Sequence, residues 1–294
     1  MSSVEQDEAC ASCGKAAVDD VKLKKCACNL VKYCSTDCQK NHRSQHKKAC
    51  KKMMAKIRDD RLFTQPDGTH LGECPICCLP LSLDVRKTKI MTCCSKLVCL
   101  GCVHANWKHE REQGLEPRCP FCREEMPATL AENEQRDKER AKANDPVALR
   151  QVAAKFYDAG DYKEAFELDK KAAELGFIES HYMLSEYYRD GKGVERDPKR
   201  ARYHMEVAAI AGHDIARYNL AIEEGKNGRI GKGVQHYIIA ANLGEDMSMK
   251  KLREMHAVGI VNKEVYEGAL RGYQAAIEAT KSAQREEAYK HYKL

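Results

Sequence analysis

Cysteine is absent from more than half of this sequence. All 16 cysteines lie at or before position 122, and residues 123–294 contain none. Large apolar residues are also scarce, with 5 phenylalanines and 1 tryptophan in the chain. The N-terminal part cannot build a sizeable apolar core and needs another source of stability. The C-terminal part must fold by burying apolar surface.

Long apolar runs are missing as well. No stretch of about 18 apolar residues occurs, so we expect no transmembrane helix. Residues 1–9 are polar and acidic and show no pattern of a signal peptide. We therefore expect a cytoplasmic or nuclear protein, in which disulfides are rare. The net charge of +6 is modest, and the length of 294 residues suggests two or three units.

Most of the cysteines come in closely spaced pairs. Four pairs have the CxxC spacing: Cys10/Cys13, Cys74/Cys77, Cys99/Cys102 and Cys119/Cys122. A CxxC turn directs two thiolates at one tetrahedral ion, which is half of a structural zinc site. A disulfide framework or a redox pair is the alternative. Without a secretion signal, zinc is the preferred interpretation.

Residues 10–50 carry enough ligands for two zinc ions. The candidates are Cys10, Cys13, Cys26, Cys28, Cys34, Cys38, His46 and Cys50. Cys34/Cys38 and His46/Cys50 are each four residues apart, which puts both members of a pair on one helix face. His42 is an alternative ligand, although a partly buried structural histidine is the preferred interpretation.

The stretch from Tyr33 to Cys50 resembles the MYND zinc finger. The resemblance implies two interleaved sites, Cys10, Cys13, Cys34 and Cys38 in one, and Cys26, Cys28, His46 and Cys50 in the other. The Cys26–Cys28 pair is one residue shorter than the usual pair, and His42 stands where a tryptophan is usual. The resemblance also implies binding of proline-containing peptides. A zinc ion with four protein ligands has no open position for a substrate, so this module is structural or recognitional.

A basic segment follows, with lysines and arginines from Lys40 to Arg61. A nucleic-acid surface is one interpretation, but aromatic residues that could stack on bases are nearly absent. A solvated helix face is preferred, so nucleic acid is not an expected partner. We assign residues 51–73 to a basic linker.

Residues 74–123 hold a second set of eight ligands. They are Cys74, Cys77, Cys93, Cys94, Cys99, Cys102, Cys119 and Cys122. Their order resembles an all-cysteine RING finger. The resemblance implies a cross-brace, in which the first and third pairs bind one zinc ion and the second and fourth pairs bind another. His104 is an alternative to Cys93, and Cys78 is left as a spare thiol.

Four further positions match those that RING ubiquitin ligases use for partners. Ile76, Trp107 and Pro120 correspond to the apolar patch for a ubiquitin-conjugating enzyme, and Arg123 to an arginine that contacts ubiquitin. The resemblance implies a non-covalent mechanism, in which the rate gain comes from orientation of the reactants. The alternative is that Ile76 and Trp107 only cover the metal core.

The remainder of the chain favours helices. Residues 124–146 predict a charged helical linker. The segments 170–176, 206–212 and 238–244 then repeat a pattern of small residues ending in glycine. Gly176, Gly212 and Gly244 are predicted to end helices in the left-handed conformation, and Asp197–Pro198 to start one. Residues 147–290 resemble Sel-like repeats, relatives of tetratricopeptide repeats, whose concave side binds proteins.

The sequence therefore predicts small zinc-stabilised α+β modules followed by an all-α solenoid. The expected function is a RING-type ubiquitin ligase with four zinc ions, which holds a conjugating enzyme and recruits substrate through the repeats and the MYND-like finger. The alternatives are a non-catalytic scaffold and a nucleic-acid-associated regulator. We also expect the modules to be independent, so that a chelator unfolds residues 10–123 and leaves the helices of residues 147–290 intact.

Overall fold

A computed structural model describes residues 9–17 and 22–294. The chain divides into two compact units between Thr64 and Gln65. Within the described ranges, no helix combines the length and the apolar character that crossing a bilayer requires.

The first unit is a small hairpin followed by a long helix. Strand β1 (Lys24–Lys25) pairs antiparallel with β2 (Lys32–Tyr33), and helix α1 spans Thr36–Leu62. The hydroxyl of Ser35 caps α1 by accepting a hydrogen bond from the Cys38 amide. No glycine or proline interrupts residues 36–62, and the helix continues through the first part of the segment assigned to a linker.

The second unit begins with a compact cysteine-rich module. Strands β3 (Thr88–Met91) and β4 (Lys96–Cys99) form an antiparallel hairpin that leads directly into helix α2 (Leu100–Glu112). The apolar core is small. Leu81, Met91 and Val98 are buried there beside buried cysteines. The module thus has the limited apolar core that its composition predicted.

Helices make up most of the second unit. In order they are α3 (Leu130–Lys142), α4 (Pro146–Asp158), α5 (Tyr162–Glu174), α6 (Ile178–Asp190), α7 (Pro198–Ile210), α8 (Asp214–Lys226), α9 (Ile230–Asn242), α10 (Asp246–Ala257), α11 (Lys263–Ala279) and α12 (Ala283–Tyr292). The main pairs are α4 with α5, α6 with α7, and α8 with α9. Fully buried alanines such as Ala165, Ala208 and Ala240 let the paired helices approach closely. The predicted all-α solenoid is confirmed.

The predicted helix ends are also confirmed. Gly176, Gly212 and Gly244 have φ angles of 87°, 85° and 92°. Asp197 caps α7 through the amides of Lys199 and Arg200, and a proline follows it at the first helical position.

The cysteine-rich module is packed against two helices, one that precedes the repeats in sequence and one that follows them. Helix α12 lies on α2. Helix α3 contacts the loop that holds two of the cysteines, where Arg140 donates to the Ser95 hydroxyl at 2.8 Å and to the Cys93 carbonyl at 3.0 Å. Within residues 65–294, the expected independence of zinc module and helices is therefore not supported by the packing.

Candidate metal centres and partner-binding face

The eight candidate ligands of the first unit gather into two groups. Cys10, Cys13, Cys34 and Cys38 form one, and Cys26, Cys28, His46 and Cys50 form the other. In each group, one ligand atom from every residue lies within 4.8 Å of the others. Loops and the ends of the hairpin supply the first members, and the helix α1 supplies Cys38, His46 and Cys50. This is the interleaved arrangement that the resemblance implied.

The spacing of these atoms fits tetrahedral zinc. A Zn–S bond of about 2.3 Å gives a sulfur–sulfur edge of about 3.8 Å. The Sγ atom of Cys34 lies 3.6 Å from Cys13 Sγ and 3.6 Å from Cys38 Sγ, and Cys26 Sγ lies 3.7 Å from Cys50 Sγ. Cys28 Sγ is 3.1 Å from His46 Nε2. A disulfide bond would need about 2.0 Å, and all the cysteines are free.

The protonation of these thiols also points to a cation. Burial raises the pKa of Cys10, but hydrogen bonds from the backbone of Cys34, Cys13 and Ser12 outweigh it and lower the pKa to about 6. Hydrogen bonding with Cys13 and Cys38 raises the pKa of Cys34 to about 12. The Cys10 thiolate forms readily whereas Cys34 resists ionisation beside it, so a metal charge would be needed for both to bind as thiolates.

His42 lies outside both groups. Its Nδ1 atom is 3.0 Å from the Tyr33 hydroxyl, and its ring stacks on His46 with the centroids 5.8 Å apart. It orients a ligand histidine and occupies the place of an aromatic side chain, in line with the preferred interpretation.

The second unit contains two groups in a cross-brace. Cys74, Cys77, Cys99 and Cys102 form one, and Cys93, Cys94, Cys119 and Cys122 form the other. The distances from Cys77 Sγ to Cys99 Sγ and from Cys94 Sγ to Cys119 Sγ are 3.8 and 3.9 Å. These values also match a tetrahedral zinc edge.

A tight turn brings the two adjacent cysteines to one site. Ser95 has a φ of 55°, and the amides of Cys94 and Ser95 both donate to the Met91 carbonyl. Cys93 Sγ thereby lies 3.3 Å from Cys122 Sγ, so Cys93 is a member of the group. His104 is buried against His291 and is not among these ligands. Cys78 is exposed and outside both groups.

The candidate partner residues differ in how accessible they are. Ile76 lies on the first CxxC turn and is 40% exposed. Trp107, on α2, is partly buried between the Arg111 guanidinium at 5.2 Å and the His291 ring at 6.1 Å. It borders a cavity of about 230 Å³ that Leu115 and Pro117 also line. Pro120 is half-buried, and the neighbouring Phe121 is exposed.

Arg123 is fastened to helix α2. Its Nη1 donates to Asn106 at 2.7 Å and its Nη2 pairs with Glu110 at 3.0 Å. Glu110 is 1% exposed and also accepts from the Asn106 amide and from the Arg118 backbone. Glu110 could not be singled out from the sequence, because an acidic residue in a charged helix belongs to no motif.

A fifth group consists of His70, His213 and Asp214, with Glu179 beside them. The two imidazole rings stack 4.2 Å apart and nearly parallel, so their lone pairs run side by side and do not converge on one ion. His213 Nδ1 already accepts from the Ala216 amide. Although burial raises the pKa of Glu179, hydrogen bonds from His213 and His70 hold it well below its usual range. The group fastens the loop before Cys74 to the solenoid. It could not be recognised from the sequence, because its members lie too far apart in the chain to form a motif.

Comparison with protein families identifies the two ends of this architecture. The model of the MYND finger matches residues 10–50. The model of the Sel1 repeat matches residues 147–177, 178–213 and 215–245. No curated protein matches the chain.

Two solved structures are similar in part. A Sel1 repeat protein from Oxalobacter formigenes is 22% identical with a TM-score of 0.44, covering 60% of this chain and 72% of its own. The protective antigen c5321 of uropathogenic Escherichia coli strains, described as displaying an SLR fold, is 20% identical with a TM-score of 0.42, covering 62% of this chain and 38% of its own. The chain described here contains a zinc-binding MYND finger and, beyond a second cysteine-rich module, three Sel1 repeats.

Proposed function

We propose that the protein is a RING-type ubiquitin ligase with four structural zinc ions. The observation that carries the proposal is the cross-brace of residues 74–122, which presents the exposed Ile76 on its first turn and Trp107 on the helix that follows. Every cysteine in the two groups is a candidate ligand, so none is available as a nucleophile. The proposed mechanism is non-covalent, as the resemblance to RING ligases implies.

The chain's own residues would act by holding and orienting partners. Ile76 and Pro120 offer a small apolar anchor of the type that dominates transient interfaces, with Trp107 beside it. Arg123 offers a planar fork that can bond two acceptors at once. Orientation of a conjugating enzyme and its linked ubiquitin supplies the rate gain.

Substrate would be recruited by the other modules. Sel1 repeats generally mediate protein–protein contacts, and a solenoid presents an extended concave surface for them. The MYND finger would take a proline-containing peptide. A cytoplasmic or nuclear location fits this activity.

A non-catalytic scaffold is the second candidate, and one feature favours it. Arg123 is engaged by Asn106 and the buried Glu110, so a ubiquitin contact would have to share or break that pairing. A scaffold would need only the zinc-held surfaces.

Self-ubiquitination in vitro tests the proposal. Zinc-loaded protein would be incubated with a panel of conjugating enzymes, with Ile76→Ala and Arg123→Ala as loss variants. Val85→Ala is a matched control, because Val85 is an exposed apolar residue of the same module outside the proposed face. We expect ubiquitin ladders from the wild type and the control, and none from Ile76→Ala.

Arg123→Ala leaves Glu110 buried without its cation, which could destabilise the module. The zinc content of this variant must therefore be measured together with its activity. Wild-type protein that holds about four zinc ions but yields no ladder with any enzyme would support the scaffold instead.

A further inference from the structure

The C-terminal helix α12 packs directly on one metal centre of the second unit. Helices α2 and α12 approach each other closely at Gly101, between the ligands Cys99 and Cys102. A Cβ atom on Gly101 would lie 2.8 Å from Arg285 Cγ and 2.9 Å from Arg285 Cα. The Gly101 carbonyl also accepts from the Gln284 side chain at 3.2 Å. The helix is therefore seated against the third cysteine pair.

Arg285 points from this helix into the metal centre. It is 1% exposed. Its Nη2 donates to Cys77 Sγ at 3.3 Å and to the Leu79 carbonyl at 3.1 Å. Its Nη1 donates to the carbonyls of Pro80 and Thr280, both at 2.7 Å. One guanidinium thus holds the thiol of a ligand and the backbone just after it.

Charge explains why an arginine is buried here. A zinc ion with four thiolates carries excess negative charge, and a buried cation is tolerated only when it is paired. Hydrogen bonds to ligating groups from outside the coordination sphere orient them and tune metal affinity. The other centre of the module differs in this respect. There Arg140 donates to the carbonyl of Cys93 and not to a thiol.

We propose that Arg285 is a positioning residue for the metal centre of Cys74, Cys77, Cys99 and Cys102. This centre has its full set of hydrogen bonds to the ligands only when α12 is docked. The C-terminus thereby becomes part of a zinc module that ends in sequence more than a hundred residues earlier. The proposal does not depend on ligase activity.

Peptide-resolved metal release tests it on the full-length, zinc-loaded chain. Protein would be mixed with excess chelator, alkylated at increasing times, denatured and cut with trypsin. The peptide Ile90–Lys96 carries Cys93 and Cys94, and Leu97–Lys108 carries Cys99 and Cys102. Each peptide therefore reports one of the two centres.

Three variants are compared. Arg285→Met removes the charge and the donors at similar length, and Arg285→Lys keeps the charge but loses the planar fork. Lys290→Met removes an exposed charge from the same helix and is the matched control. Loss of an outer-sphere partner typically costs about 10–100-fold in metal affinity. We expect alkylation of Leu97–Lys108 in Arg285→Met to accelerate about 10-fold or more, with Ile90–Lys96 unchanged.

The pattern across the two peptides separates positioning from packing. Equal acceleration of both peptides would mean that Arg285 only stabilises the module, and no acceleration would mean that it plays no part in the centre. Either result overturns the proposal. Should Arg285→Met fail to fold, the same comparison is made with Arg285→Lys, for which we expect a smaller but still selective acceleration.

Discussion

Single residues shape the CxxC turns. The residue after the second cysteine has a positive φ in three of them: 72° at Gly14, 55° at Cys78 and 67° at Arg123. Its amide donates to the carbonyl of the first cysteine in each case. Only the first turn uses glycine, for which this conformation has no steric cost. In the other two turns a non-glycine residue, Cys78 or Arg123, adopts this strained conformation.

Cys78→Gly is expected to stabilise the zinc-loaded protein. Cys78 is exposed and belongs to no ligand group, so the exchange removes the strain of the left-handed conformation without removing a ligand. That conformation costs about 1–2 kcal/mol in a non-glycine residue, partly offset by the greater chain entropy of glycine. A thermal midpoint a few degrees higher would show it. A loss of bound zinc would instead reveal Cys78 as a ligand.

Asp169 gives the solenoid a defined pH dependence. Burial raises its pKa to about 6, although Arg150 and hydrogen bonds from Ser180 and Tyr187 offset part of the effect. The folded state therefore keeps a proton that the unfolded chain releases near pH 4. Stability from this group is present below about pH 4 and is lost as the pH rises to about 6.

Asp169→Asn removes that titration. We expect the free energy of unfolding of the variant, relative to the wild type, to rise between about pH 4 and 6, at up to about 1.4 kcal/mol per pH unit, and to be flat above. Urea titrations at matched pH values measure the difference, in which acid release of zinc is common to both proteins. A constant difference over this range would contradict the assignment.

At the scale of elements, the loop before Cys74 is held to the solenoid by a glycine. The His70 amide donates to the Gly212 carbonyl at 3.1 Å. A Cβ atom on Gly212 would lie 2.3 Å from the Gly68 carbonyl oxygen, whereas one on Gly176 would meet nothing within 4 Å. Both glycines have nearly the same φ. They therefore form a matched pair, alike in backbone strain and different in contact.

Gly212→Ala is expected to destabilise the protein more than Gly176→Ala. The second change costs about 1 kcal/mol for the left-handed alanine. The first adds a clash with backbone that can be relieved only by moving the loop. Chemical unfolding of both variants measures the gap, and limited proteolysis within residues 65–73 should be faster in Gly212→Ala alone. Equal costs would show that the loop is not held at this point.

These elements also show which features of the fold can be predicted from the sequence. Helix pairs and their glycine ends follow from local patterns, since Gly176, Gly212 and Gly244 act within their own turns. The cysteine pairs are likewise local. The contacts of Arg285 with Cys77 and of His70 with His213 join residues far apart in the chain, and neither has a periodicity or a motif. Only the packing of α12 and of the loop reveals them.

At the scale of the whole second unit, metal and helices support each other. The zinc module contacts α12 through Gly101 and Arg285, and α3 through Arg140. Helices α6 to α9 instead bury their alanines and aromatic residues against one another. When the metal is removed, the amides that lose protection from hydrogen exchange should therefore belong to elements that depend on the zinc module for their packing, wherever they lie in the sequence.

Chelation followed by amide hydrogen exchange tests this coupling. We expect removal of zinc to expose the amides of α2 and α12 together, because α12 would lose the helix on which it packs, whereas α3 also packs on α4 through Ala141. Amides of α6 to α9 should keep their protection. If the modules were independent, as the sequence led us to expect, the amides of α12 would stay protected together with the rest of the helical region. Protection of α12 in metal-free protein would show that α12 and its Arg285 are held by the solenoid alone, and that the zinc module docks on a helix that is already in place.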